Sequence, residues 1–195
     1  MSTDSALKSK GIFNYLWEKA NNEGISLSPM KAIKLVYFAH AWYLGFEKKP
    51  LLTESIEAWK YGAVIPSLYD SLKIYGGGKI AYPIFKDSKY NKYFWDIIVQ
   101  KPLNISDGDL KKDMISYSLD SREEEIINAV WNVYKNKTAI ELSNIMHQPG
   151  TPWSEIWKDG NCPDHAVIPN ELIQNYYVQK IERIKNSESM QKDPE

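Results

Sequence analysis

At 195 residues, with 43% hydrophobic, 25% charged and 13% aromatic side chains, the chain is long enough for one sizeable core and is rich in large rings, seven Trp and thirteen Tyr. A formal net charge of −1 excludes the whole-domain basic field that nucleic acid attracts, and a single cysteine, Cys162, excludes an internal disulfide. No apolar run approaches the roughly 18 residues a membrane span needs, and the polar start MSTDSALKSK has no signal-like apolar region, so a cytoplasmic protein without a membrane partner is expected.

The first predicted helix spans Ser5 to Asn22, with Leu7, Ile12, Phe13, Leu16, Trp17 and Ala20 on broadly one side and Gly24 able to cap its end. A second begins with Ser28 as N-cap and Pro29 as first helical residue, and Gly45 reads as its close. Between them only Lys31, Lys34 and His40 are strongly polar, and Leu35 to Leu44 is apolar nearly all round. That is the pattern of a helix at the buried centre of its domain. Ile56, Ala58 and Lys60 then alternate with Glu57, Trp59 and Tyr61, which predicts a short strand and a turn at Gly62. Ile65-Pro66 forces extension, and Pro66 opens a short helix, PSLYDSLKIY, stopped at Gly76 to Gly78.

Residues 79–120 are less regular. KIAYPIF and KYFWDIIVQ read as short strands and NISDGDLKKD as a turn or loop, together a small sheet or hairpin at the domain edge. Helical signals return with capping-box spacing from Ser121 to Glu124, ahead of Ile126, Ile127, Val130, Trp131 and Tyr134. Thr138 to Glu141 repeats the device, and Thr151 and Pro152 start a further short helix, TPWSEIW. A last helix runs from Asn170 to Lys185 with Leu172, Ile173, Tyr176, Tyr177, Ile181 and Ile184 inward. The expected fold is mainly α with a small β element: one compact domain over 5–186, in which 79–120 is a variable, partly β insertion, followed by a disordered polar tail, 187–195.

Catalytic chemistry finds little support. Gly76-Gly77-Gly78-Lys79 resembles a phosphate loop, but the pattern needs Gly where Lys73 stands and Ser or Thr where Ile80 stands. Cys162 and His165 form a C-x-x-H pair with no second pair to complete a zinc site, and they are too close in sequence for the usual Cys–His nucleophile. His40 reads as a satisfied core histidine. Glu54 and Glu57, three apart on an extended chain, point to opposite faces. No catalytic residue, metal or cofactor is therefore expected. The aromatic residues remain: Phe38 and Trp42 read as core, while Tyr61, Tyr69 and Tyr75 suit either packing or a binding face. Base stacking would want more Lys and Arg around those rings.

The stretches KLVYFAHAWYLG, IEAWKYGAVIPSLY, YGGG and LSNIMHQPGTPW, in that order, resemble the Panacea-domain, SocA-like antitoxin family. The matching residues are Lys34, Leu35, Tyr37, Phe38, Ala39 and Trp42; Glu57, Ala58, Trp59, Tyr61, Gly62, Val64, Pro66, Leu68 and Tyr69; Tyr75 and Gly76; and Leu142, Ser143, His147, Pro152 and Trp153. Ala63 departs from the proline usual there. The resemblance implies a non-enzymatic protein encoded beside a toxin gene in bacteria, phages or prophages. Its partner would be the cognate protein toxin, neutralised by direct contact. The family also implies an alternative, an adaptor that delivers the toxin to an AAA+ protease. Leu35, Phe38, Trp42, Gly62, Pro66 and Gly76 would be structural, and Trp59, Tyr61, Tyr69, Tyr75, His147 and Trp153 would form the partner face. Recognition through 82–119 is the equal alternative. The rivals from other classes are a small enzyme using His40, His147 and Glu57, and a DNA-binding regulator of its own operon; the oligomeric state stays open.

Overall fold

A nineteen-residue helix with few polar side chains is stable in water only when other elements surround it, and the chain is arranged to do that. The computed structural model describes residues 5–86, 108, 112–116 and 118–190. The central helix is α2, Pro29–Glu47; the Ser28 side chain accepts from the Lys31 N–H and Pro29 stands in the first turn, as the sequence predicts. Leu35 and Phe38 are fully buried on it. Around α2 pack α1 (Ser5–Asn22), a hairpin of β1 (Glu57–Trp59) and β2 (Gly62–Val64), and α3 (Pro66–Leu72). The later helices are α4 (Ser121–Tyr134), α5 (Ala139–Met146), α6 (Pro152–Trp157) and α7 (Asn170–Met190), of which α7 covers α2 most extensively. The architecture is mainly α with, among the described residues, one two-stranded antiparallel sheet, paired Glu57 to Val64, Ala58 to Ala63 and Trp59 to Gly62. The open edge of β1 is also covered: Ala58 N–H donates to Ala166 and Ile168 N–H to Ile56, just ahead of α7.

Gly45 is a correction. It does not end α2, which continues to Glu47 and closes on Lys48 in the left-handed region, φ 56°. Its role is close approach: a Cβ there would lie 2.8 Å from Tyr177 Cβ and 2.9 Å from Ile181 Cδ1. The partner surface is more than a hundred residues away in sequence, so local signals could not separate a helix stop from a contact point. Gly45→Ala should gain about 1 kcal/mol of helix propensity and lose about 1–3 kcal/mol to overpacking. Net destabilisation is the expected result, and chemical denaturation checks it.

Four further differences have identifiable causes. The cap of α4 is Asp120 with Glu123, one residue earlier than Ser121 with Glu124; the two boxes overlap, and Asp120 takes the N–H groups of both Arg122 and Glu123. Among the described residues KIAYPIF makes only an isolated bridge, Phe85 to Met114. Pro83 cannot donate to a ladder, and the fully buried Asn14 occupies Ile84 instead, donating to the Ile84 and Ile115 carbonyls and accepting from Ile84 N–H, all at 2.7–2.8 Å. Within NISDGDLKKD the described residues Gly108, Lys112 and Asp113 are helical, consistent with Leu and Lys being good helix formers. Finally, α7 continues to Met190, past the predicted end at Lys185, with Asn186, Ser187 and Ser189 exposed, because nothing in NSESM breaks a helix; Ile184 is 42% exposed there, not inward. KYFWDIIVQ and residues 191–195 lie outside the described residues.

Candidate functional site

The β1–β2 hairpin is too short to be stable alone, and three helices hold it by its carbonyls. Trp153 Nε1 of α6 donates to the Trp59 carbonyl at 2.8 Å, Ser143 Oγ of α5 to the Tyr61 carbonyl at 2.9 Å, and Lys34 Nζ of α2 to the Ala63 carbonyl at 3.1 Å. Three alternate carbonyls thus receive one donor each. This gives a physical reason for the co-occurrence of K-L, W-x-Y-G, L-S and P-W in the sequence. Gly62 follows the Lys60-Tyr61 turn at φ 109°, a conformation that requires glycine, and a Cβ there would lie 2.7 Å from Lys34 Nζ and so press on the clamp's own donor.

Rings gather on this frame. Trp59 meets Tyr69 edge-on at 4.8 Å and donates its N–H to Glu57 at 2.7 Å. His147 stacks on Trp153 at 3.9 Å, and Trp153 on Trp157 at 5.5 Å. Tyr61, at the hairpin tip, is 61% exposed, with Lys60 Nζ over its ring. His147 is exposed, Tyr69 and Trp59 are half-buried, and Trp153 is buried, so the last acts chiefly as a support. Tyr75 does not join them. Its hydroxyl turns to the Tyr82 carbonyl, burial pushes its pKa up to about 12, and among the described residues it shares no ring contact with the other five. Pro66 opens α3 and Gly76, φ 53°, closes the turn that follows it. Trp42 is half-buried rather than core: its N–H donates to Tyr134 and its ring stacks on Phe46, which is 43% exposed.

The titratable groups have separate partners. His40 is fully buried; it accepts from Leu52 N–H through Nδ1 and donates through Nε2 to Asn170, and burial pulls its pKa down to about 4. Glu54 accepts from Ser9 and Ser67, joining α1 to α3. Glu57 accepts from Trp59 and from His165 Nδ1 at 2.8 Å, beside a cleft of about 310 Å³ that also holds Cys162. Although His147 is largely exposed, partial desolvation of its ring and then the Lys34 charge lower its pKa. His40, His147 and Glu57 therefore do not converge, and among the described residues no three His, Cys, Asp or Glu side chains gather as metal ligands. No helix among them is long and apolar enough to cross a membrane.

Comparison with known proteins agrees with this frame. The family described as antitoxin SocA-like, Panacea domain, matches residues 33–154, which begins on α2 and ends in α6. The protein named antitoxin SocA from Caulobacter vibrioides (strain NA1000 / CB15N) is 26% identical over 158 residues, covering 77% of this chain and 71% of that one. No solved structure matches.

Proposed function

The chain belongs to the SocA-like antitoxin family of Panacea domains, and from that premise we propose that it neutralises a cognate protein toxin by direct contact, without catalysis. The observation that carries the reading is the hairpin corner. An exposed tyrosine stands at the tip of a turn whose carbonyls are clamped by three helices, so presenting it costs little conformational entropy on binding. Tyr69 packs on Trp59 of the same hairpin, and His147 stacks on Trp153, which clamps that hairpin. The His and Glu side chains that could serve an enzyme are instead engaged in separate structural contacts.

The test is co-expression with the product of the adjacent reading frame. Growth arrest by that product alone, relieved by this chain at unchanged toxin level, is the expected result. A neighbour harmless alone removes the reading, and relief accompanied by a shortened toxin half-life assigns the protein to proteolytic delivery instead. Tyr61→Ala should weaken toxin binding about 30-fold, the effect of losing a hot-spot tyrosine, while altering stability by less than about 0.5 kcal/mol. Calorimetric titration beside a thermal melt separates the two.

A further inference from the structure

A second face is less polar than the corner. Trp42 and Phe46 at the end of α2 and Ile126, Ala129, Val130 and Val133 on α4 line an open groove of about 320 Å³, to which the buried Tyr134 also contributes. Phe46 is 43% exposed and Val133 62%, although both border a wall of large apolar side chains. From Ile126 to Val133 the α4 wall is about 10 Å long, the length of two helical turns.

The charges around the groove are unevenly compensated. Arg122 is held by Glu47 at 2.6 Å and Glu125 at 2.7 Å. Lys49 is faced by Asp120 and Glu47. Lys180, on α7, has no carboxylate partner among the described residues. Its ammonium is half-buried and lies 5.6 Å from the Trp42 ring, 5.7 Å from Tyr176 and 5.7 Å from Tyr177. It also borders the narrow crevice that contains Trp153, so it stands between the corner and the groove.

We propose that this groove receives an amphipathic helix of the toxin, apolar at i, i+3/i+4 and i+7, with an Asp or Glu that pairs with Lys180. An apolar stripe fills the α2–α4 groove and a carboxylate completes the half-desolvated ammonium, where an ion pair is stronger than in open water. A second copy of the chain complements it poorly. A two-fold contact would present the same uncompensated cation from both sides, and the carboxylates at the rim are already paired.

This rests on the toxin-neutralising reading, and the experiment separates the two. The probe is the protein encoded by the adjacent reading frame, titrated against the full chain and its Val133→Glu, Lys180→Glu and Lys180→Met variants, with melting curves for each. Val133→Glu and Lys180→Glu should each weaken binding at least tenfold at unchanged melting temperature. Lys180→Met should remove most of the salt dependence of binding. An Asp or Glu→Lys change on one amphipathic helix of the toxin should restore binding to Lys180→Glu. Wild-type affinity in all three variants, with binding still lost in Tyr61→Ala, overturns the groove assignment and leaves the antitoxin reading standing. A dimer in light scattering that Val133→Glu dissociates overturns it in favour of self-association. Failure of the wild-type chain to bind the neighbour removes both.

Discussion

Trp131→Ala should destabilise the protein by about 4 kcal/mol, within the range for emptying an aromatic core site, and lower its melting temperature by roughly 10 °C for a domain of this size. Trp131 is the largest fully buried side chain among the described residues, and its Nε1–H donates to Glu23 at 2.8 Å, tying α4 to the end of α1. Removing the ring leaves a void between helices already set by their contacts with α2, so collapse can recover little of it. Trp131→Phe keeps most of the apolar area and loses only the donor, and should cost about 1–2 kcal/mol. Val133→Ala, two residues further on the same helix, should stay within about 0.5 kcal/mol because Val133 is largely exposed. Denaturant titration of the three variants checks the order; an alanine variant as stable as Val133→Ala would mean that Trp131 is not in the core.

That contrast between neighbours was partly visible in the sequence. Ile126, Ile127, Val130, Trp131 and Tyr134 recur at helical spacing, and all five are buried. On α2 the signal was different: a run from Leu35 to Leu44 that is apolar nearly all round marked the central helix. Helix starts with a single strong cap, Ser28-Pro29, Thr138 with Glu141 and Thr151-Pro152, were legible for the same local reason. Where two local signals overlapped, at Asp120 and Ser121, local reading chose one residue late. Where the cause was distant, as at Gly45 against Tyr177, it chose the wrong role.

The corner and the groove differ in the same way. Motif order brought Trp59, Tyr61, Tyr69, His147 and Trp153 together because Lys34, Ser143 and Trp153 are long-range donors to one hairpin. Tyr75 shared the motif but faces Tyr82, since a motif lists what recurs and not what touches. The groove had no motif at all. Trp42, Val133 and Lys180 come from three helices, and each looks ordinary alone: a core ring, a surface valine and a surface lysine. Their juxtaposition depends on how α7 crosses α2, which composition and period do not specify.

Stability should rise as the pH is raised above 7, and Lys34→Met should remove most of that rise, leaving the smaller part due to Lys31 and Lys180, whose pKa values burial also lowers. Lys34 is 2% exposed, its ammonium has one carbonyl partner, and burial pulls its pKa from 10.5 down to about 7. Below pH 7 the folded and unfolded chains both carry the charge, and folding bears the whole cost of burying it. Between pH 7 and 10.5 the unfolded chain holds the extra proton, so each rise in pH favours the folded state. Over that window the gain is on the order of a few kcal/mol. Lys34→Met removes the charge but leaves the Ala63 carbonyl without its donor, a cost of about 1–3 kcal/mol. The variant should therefore be more stable than the wild type at pH 6 and less stable near pH 9.5, where the wild-type amine is neutral in the fold and still bonded. The two stability curves cross. His40, with a folded pKa of about 4 against the ordinary 6.5, acts between those values and is common to both proteins, so it does not alter their difference. The buried phenols of Tyr37 and Tyr177, whose pKa values burial raises, act above pH 10 and are common to both proteins. A second readout lies in the corner itself. The Lys34 charge helps hold the His147 pKa down, so His147 should titrate at higher pH in the methionine variant. Parallel pH curves with an unmoved histidine would mean that Lys34 is solvated in the folded protein and that the hairpin is held by only two of its three clamps.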